Sequence, residues 1–262
     1  MHPAKFIRLN RMIHASTNRS LMVPMDHGFT LGPIEGIETL DQVSQWVTLP
    51  MIQSVILHKG IYQILCERGV ALRSPIIHLN GRNSLSSSVD DKILMTTLQA
   101  ASLLGADAIS LQLNFTEEND GENWHLLGRV TDAALPLGLP VLLMLYDKVP
   151  AQSTGHAIKR MQVLLRAATE LGVDFIKVGI PSPFEALEEV LRFASQETRI
   201  LVAGGTLQNE KAFLTQIKKA LEWGARGVCV GRNVFSCSHP GGMLRELAAL
   251  LESDPKRGTK TC

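Results

Sequence analysis

The sequence predicts an α/β fold in a single domain, a (β/α)8 TIM barrel, and three observations carry that prediction. Eight short apolar runs alternate with helix-length amphipathic segments through the 262 residues. Most of the runs are nearly continuous in Val, Ile and Leu, as strands covered on both faces should be. One αβ turn also recurs three times, as Leu104-Gly105-Ala106-Asp107, Leu171-Gly172-Val173-Asp174 and Trp223-Gly224-Ala225-Arg226. A glycine at that point ends a helix in the left-handed conformation at little steric cost, and a strand can begin at once. Eight such units in about 250 residues match a closed barrel, whereas an open doubly wound sheet usually has fewer strands.

Taken in order, the segment up to Arg19 is expected to cap the bottom or side of the barrel. The strands are expected at Leu21–Asp26, Ser54–His58, Ile76–Leu79, Ala108–Leu113, Pro140–Tyr146, Val173–Val178, Arg199–Ala203 and Gly227–Val230. Between them, apolar residues three and four apart mark core-facing helices. Leu164, Leu165, Ala168 and Leu171 do so in the fifth, and Phe213, Ile217 and Leu221 in the seventh. The tail from Asp254 to Cys262 is expected to fray.

Composition narrows the function. Hydrophobic residues make up 45% of the chain, and 26 basic against 25 acidic residues leave a net charge of +1. Nucleic-acid and membrane-surface partners, which call for a concentrated basic face, are therefore not expected. Cys66, Cys229, Cys237 and Cys262 show neither paired spacing nor histidines at metal-ligand spacing, so a reducing cytosol is the expected setting. The apolar stretch from Leu21 to Met25 runs into Asp26-His27, which no signal-peptide core contains, and no apolar stretch is long enough to span a bilayer.

In a barrel of this kind chemistry collects at the C-terminal strand ends. Those ends read Asp26-His27-Gly28, His58-Lys59-Gly60, His78-Leu79-Asn80, Gln112 to Asn114, Tyr146-Asp147-Lys148, Lys177, Gly204-Gly205 and Gly231-Arg232-Asn233. Lys177 closes the sixth strand. As a nucleophile toward a carbonyl it needs a pKa well below the ordinary value of about 10.4, which burial and a neighbouring cation such as Arg232 can supply. The plain alternative is a rim lysine with its ammonium in water, and Lys59 and Lys148 are rivals for the role. Tyr146 stands one strand away, within reach of that amine as a proton shuttle or else as a core tyrosine with one hydrogen bond. Asp26 either holds the amine and substrate hydroxyls or caps the loop through Gly28 and Thr30. His27 and His58 are catalytic or structural. Ala203-Gly204-Gly205-Thr206 and Val230-Gly231-Arg232-Asn233 occupy the two loops where barrels commonly seat a phosphate, and Arg232 adds a charge there.

These residues also form a pattern. Val23-Pro24-Met25-Asp26-His27-Gly28 followed by Gly32-Pro33-Ile34-Glu35-Gly36 resembles the first strand and loop of the DhnA-type, or archaeal-type, class I aldolases. His58-Lys59-Gly60, Leu104 to Ala108, the Tyr146 strand, Asp174 to Lys177, Ala203-Gly204-Gly205 and Val230 to Phe235 continue the likeness in order along nearly the whole chain. With Ile7-Arg8-Leu9 upstream, the Pro-Met-Asp-His-Gly form is more similar to the ulosonate-synthase branch than to the glycolytic aldolases. The resemblance implies a lysine imine with a phosphorylated ketose, transfer of a carbon fragment to aspartate semialdehyde, and a place in aromatic amino acid biosynthesis. Position by position, Lys177 is the implied Schiff-base lysine, Tyr146 the proton shuttle and Asp26 the acid/base or orienting carboxylate. His27, Gly204, Gly205, Gly231 and Arg232 are implied in substrate and phosphate binding. No metal or cofactor is implied, and the subunits are expected to assemble as a homo-oligomer, to which Trp46, Trp124 and Trp223 can contribute.

The chain departs from the family pattern after the tyrosine, where Asp147-Lys148-Val149-Pro150 replaces Pro-Arg-Gly, after Lys177, and at His78-Leu79-Asn80-Gly81-Arg82. These loops face the far end of the substrate, so the acceptor stays open. So do four alternatives: an aldolase using dihydroxyacetone phosphate as donor, a metal-dependent aldolase built on Asp26, His27, His58 and His78, a thiolase-like carbon-transfer enzyme, and a barrel that binds a sugar phosphate without turnover.

Overall fold

A computed structural model describes residues 2–193, 198–205 and 209–253. Its strands are β1 (Ser20–Pro24), β2 (Ser54–Leu57), β3 (Pro75–His78), β4 (Asn80–Gly81), β5 (Ile93–Leu94), β6 (Ala108–Phe115), β7 (Val141–Asp147), β8 (Phe175–Val178), β9 (Arg199–Ala203) and β10 (Gly227–Cys229). Eight of them close into a parallel barrel in the spatial order β1-β10-β9-β8-β7-β6-β3-β2, and all eight expected runs are in it. The pair outside the barrel, β4 and β5, is a short antiparallel hairpin over the mouth. The first strand stops at Pro24, so Asp26 lies just past its end, whereas β6 and β7 run on to Phe115 and Asp147. The expected tail Asp254–Cys262, and Thr206 of the seventh loop, lie outside the described residues.

The helices are α1 (Pro3–Arg11), α2 (His27–Leu31), α3 (Leu40–Ser44), α4 (Lys59–Glu67), α5 (Leu98–Leu103), α6 (Asp120–Ala134), α7 (Thr154–Glu170), α8 (Ala186–Arg192), α9 (Glu210–Glu222), α10 (Arg232–Phe235) and α11 (Pro240–Glu252). The recurring turn has the geometry its glycine demands, with φ of +83° at Gly105 and +85° at Gly172. The aspartate after the second of these turns is used twice, accepting from the Val141 N–H at 2.8 Å and pairing with Lys5 at 2.9 Å.

Alternation along the strands separates two cores. Side chains pointing outward pack under the helices. Those pointing inward form a smaller cluster of Met22, Ile56, Ile76, Ala108, Leu142, Met144, Phe175, Leu201 and Cys229, closed from below by Leu9 and Met12 at the end of α1. Burying each of those two side chains contributes about 2 kcal/mol. The three tryptophans are spent on packing within the chain. Trp46 is buried and stacks on Phe235, Trp124 lies 4.6 Å from Phe115 and Trp223 lies 4.9 Å from Phe184, ring centre to ring centre. No helix of the described residues is long and apolar enough to cross a membrane.

Candidate active site

The period of two decides which side chains enter the barrel. Residues two places beyond the apolar interior layer share its face, so Ile56 leads to His58, Ile76 to His78, Ala108 to Ser110 and Phe175 to Lys177. Another step of two reaches Asp26 after Pro24, Gln112 after Ser110 and Tyr146 after Met144. The polar layer therefore sits on top of an apolar plug at the C-terminal end of the strands.

Lys177 is 5% exposed, with Nζ 3.9 Å from the Met144 sulfur and Tyr146 close enough to act on its charge. It lines a cavity of about 100 Å³ together with Tyr146, His27, Gly204, Gly205, Gly231 and Arg232, which brings seven of the eight anticipated site residues together. The expected fall in its pKa is not found. Burial is the largest influence and works downward, yet Tyr146, Cys229 and Asp26 outweigh it and the amine lies above its ordinary range. Cys229 attracts the ammonium only once it ionises, and burial pushes its thiol up to about 11. At neutral pH the carboxylate of Asp26 is thus the charge that holds the proton on Lys177. The rival lysines stand outside this cavity: Lys59 donates to the Met95 carbonyl at 3.0 Å, and the Lys148 ammonium lies 5.8 Å from the centre of the Tyr146 ring.

Asp26 does not cap its loop. It precedes α2, but its side chain makes no capping hydrogen bond, which removes that alternative. Three histidines surround it instead. His78 Nε2 is 3.8 Å from Oδ2 and His27 Nδ1 is 3.9 Å from Oδ1, both beyond direct hydrogen bonding. The His58 and His78 rings meet edge to face at 5.2 Å. Burial works to raise the pKa of Asp26, but His78, His27, Lys177 and His58 together hold it down at about 2. Burial depresses the histidines in turn, His78 to about 4 and His27 and His58 below their ordinary value. Near neutral pH the site is one carboxylate and one ammonium among uncharged imidazoles. Asp26 Oδ1 and His27 Nδ1 are buried without a hydrogen-bond partner among the described residues.

His78, placed in the ring of strand ends and otherwise weighed only as a metal ligand, is fixed through Nδ1 to Ser110 Oγ at 2.8 Å. Ser110 itself was not anticipated, nor were Met144 and Cys229 beside the lysine. The signal for all of them was the parity just described. Among the described residues no three His, Cys, Asp or Glu side chains are arranged to hold a metal ion.

Beside this cluster, since β10 pairs with β1, the β9 and β10 loops form a cradle of backbone. Asn233 donates to the Gly204 carbonyl at 2.8 Å, and a Cβ on Gly204 would stand 2.8 Å from that same amide nitrogen. A Cβ on Gly231 would lie 2.9 Å from both His27 Cε1 and the Pro24 carbonyl oxygen. Only glycine lets these segments approach so closely. The Arg232 guanidinium reaches across to the Gly205 carbonyl at 3.4 Å, joining the two loops.

The residues from β1 through the loop after α10, 20–237, match the DeoC/LacD family aldolase model. 2-Amino-3,7-dideoxy-D-threo-hept-6-ulosonate synthase 1 of Archaeoglobus fulgidus is 34% identical over 236 residues, covering 89% of this chain and 85% of that one. The synthase of the same name from Halobacterium salinarum is 32% identical over 257 residues, covering 95% and 92%. Among solved structures, an archaeal fructose-1,6-bisphosphate aldolase with its catalytic lysine bound to the carbinolamine intermediate shares the fold, with a TM-score of 0.78 at 23% identity over 95% of this chain and all of that one. The chain belongs to the DeoC/LacD family of aldolases.

Proposed function

We propose that this protein is a class I aldolase or transaldolase in which Lys177 forms an imine with a phosphorylated ketose and the resulting three-carbon nucleophile is passed to aspartate semialdehyde. The observation that carries the reading is the position of one buried amine. It lines one cavity with Tyr146 and a backbone cradle suited to a phosphate, and it acts electrostatically on a carboxylate–histidine cluster suited to moving protons. The similar synthases support the choice of acceptor, and the fold shared with the carbinolamine-bearing aldolase supports the covalent step.

In this mechanism Gly204, Gly205, Gly231 and Arg232 hold the phosphate and present the ketone carbon to Nζ. Once Lys177 has given up its proton, its lone pair adds to that carbon. Tyr146 then protonates the carbinolamine hydroxyl, which leaves as water, and an iminium remains. Asp26, ionised in the free site, takes the proton from the substrate hydroxyl beyond the scissile bond. The C–C electrons pass into the iminium, the deprotonated hydroxyl carbon departs as an aldehyde, and an enamine remains on Lys177. Attack of the enamine on the acceptor aldehyde forms the new C–C bond, and the proton on Asp26 goes to the aldehyde oxygen. Hydrolysis of the product imine returns the free amine.

We further propose that the enzyme works in the cytosol as a homo-oligomer, a reading supported by exposed apolar side chains on α2, α4 and the β4–β5 hairpin, among them Leu31, Ile64, Ile93 and Leu94. The catalytic reading is tested by mass spectrometry of reactions with a ketose phosphate and aspartate semialdehyde. A product equal in mass to the semialdehyde plus the transferred fragment is expected, undiminished by a chelator and not formed when coenzyme A replaces the semialdehyde. Binding of the ketose phosphate without any product would contradict it.

A further inference from the structure

The mouth has a third charged group that this mechanism does not use. The loop between β4 and β5 lies over the strand ends and is tied down at two points, Asn114 Nδ2 donating to Asp90 at 2.7 Å and Asn119 Nδ2 to Asp91 at 3.0 Å. Asn114 is itself buried and held by Gln112 Nε2 at 2.8 Å, and Gln112 is joined to Asn80 at the root of the hairpin by a reciprocal pair of 2.8 Å hydrogen bonds. The Asp90 carboxylate is therefore fixed in position over the barrel. One ammonium group, that of Lys148, stands 3.9 Å from it, and Lys92, two residues along the same loop and half-buried, feels the charges of Asp90 and of Asp26. Arg82, the remaining cation acting on Lys92, is turned to the Ser88 carbonyl at 2.9 Å.

The order of strands sets this group apart from the phosphate cradle. The cradle belongs to β9 and β10, Lys177 to β8, Tyr146 to β7, and Asn114, which carries Asp90, to β6, where it pairs in register with Tyr146. A chain of substrate atoms anchored by phosphate at the cradle and bonded to Lys177 thus extends toward Asp90 and Lys92. A second phosphate arriving there would meet a fixed carboxylate, and an uncharged aldehyde would use none of these groups. Charges of both signs, close together, match a ligand that also carries both.

We propose that Asp90 and Lys92 form the acceptor subsite and select an aldehyde bearing both an ammonium and a carboxylate group, an α-amino acid semialdehyde: Asp90 takes the ammonium, and Lys92, with Lys148 beside it, takes the carboxylate. This rests on the imine reading above and adds to it the residues that choose the acceptor.

The test uses the full-length enzyme with fructose 1-phosphate as donor and three acceptors: aspartate semialdehyde, succinate semialdehyde, which lacks the amino group, and 3-aminopropanal, which lacks the carboxylate. The wild type should favour aspartate semialdehyde over each analogue by about tenfold in kcat/KM, the size expected of one partly exposed charge-assisted contact. Asp90→Asn should erase the preference over succinate semialdehyde, and Lys92→Met the preference over 3-aminopropanal, while borohydride still traps the donor on the enzyme in both variants. Variants that keep the wild-type preferences, or that lose donor trapping together with acceptor turnover, would overturn the subsite. A wild type that traps no donor at all would remove the imine reading itself and the subsite with it, an outcome distinct from unchanged acceptor ratios.

Discussion

On the β9–β10 side of the mouth the site is made of backbone, with Gly204 and Gly231 packed so closely that a single Cβ would collide with Asn233, His27 or Pro24. On the β1–β3 side it is made of titratable side chains, Asp26 among His27, His58 and His78, with the His78 and His27 nitrogens 3.8 and 3.9 Å from the carboxylate. The two halves should therefore fail in opposite ways. A backbone cradle tolerates changes in nearby charge but not added bulk, whereas a carboxylate cluster tolerates small changes in shape but not the loss of its one anion. Lys177, on β8 beside the cradle, depends on both, on the cradle for its substrate and on Asp26 for its proton.

The largest effect that separates the halves is expected from Asp26→Asn, which preserves shape and removes charge. It should lower kcat by about 10³-fold, within the usual range for a positioned acid/base group, with a much smaller change in KM for the ketose phosphate. The same change removes the anion holding the Lys177 ammonium, so the pH dependence of imine formation should shift to lower pH. Tyr146→Phe should follow, lowering kcat by about 10²-fold, with trapped carbinolamine increasing relative to imine. Gly231→Ala should show the opposite signature, raising KM for the phosphorylated donor by about tenfold, as expected for one lost charge-assisted contact, with kcat less affected. An Asp26→Asn that acted on KM, or a Gly231→Ala that acted on kcat alone, would break the contrast.

The smallest effect on turnover is expected at His78, which touches the carboxylate only at a distance, yet His78→Asn should be visible in stability. Folded His78 has a pKa of about 4 against 6.5 when free, so below pH 6.5 the unfolded chain binds a proton that the folded chain refuses. Stability attached to this residue is intact above pH 6.5 and falls by about 3 kcal/mol as the pH drops to 4. Denaturant titrations across that window should show a shallower acid loss in His78→Asn. Some slope should remain, since His27 and His58 are depressed in the same direction.

The same contrast explains what could be read from the sequence. The barrel was legible because most strands are nearly continuous apolar runs, and the cradle was legible because glycines at two consecutive strand ends have few other uses. Lys177, Tyr146 and Asp26 were legible as polar residues closing apolar runs. The partnership of His78 with Ser110 and Asp26 was not, because it joins three strands that meet only when the barrel closes. The direction of the Lys177 pKa was missed for the same reason, since its sign depends on how near Tyr146, Cys229 and Asp26 come to the amine. The β4–β5 hairpin escaped notice because Asn80–Gly81 and Ile93–Leu94 are too short to show a period and the second is exposed on both faces.

The central claim is that Lys177 becomes covalently bound to its substrate, and borohydride reduction in the presence of dihydroxyacetone phosphate or a larger ketose phosphate, followed by peptide mass spectrometry, tests it most directly. A reduced adduct on the peptide containing Lys177, absent from Lys177→Ala, is the expected result. Binding of either ligand with no adduct, or an adduct on Lys59 or Lys148 that persists in Lys177→Ala, would contradict it.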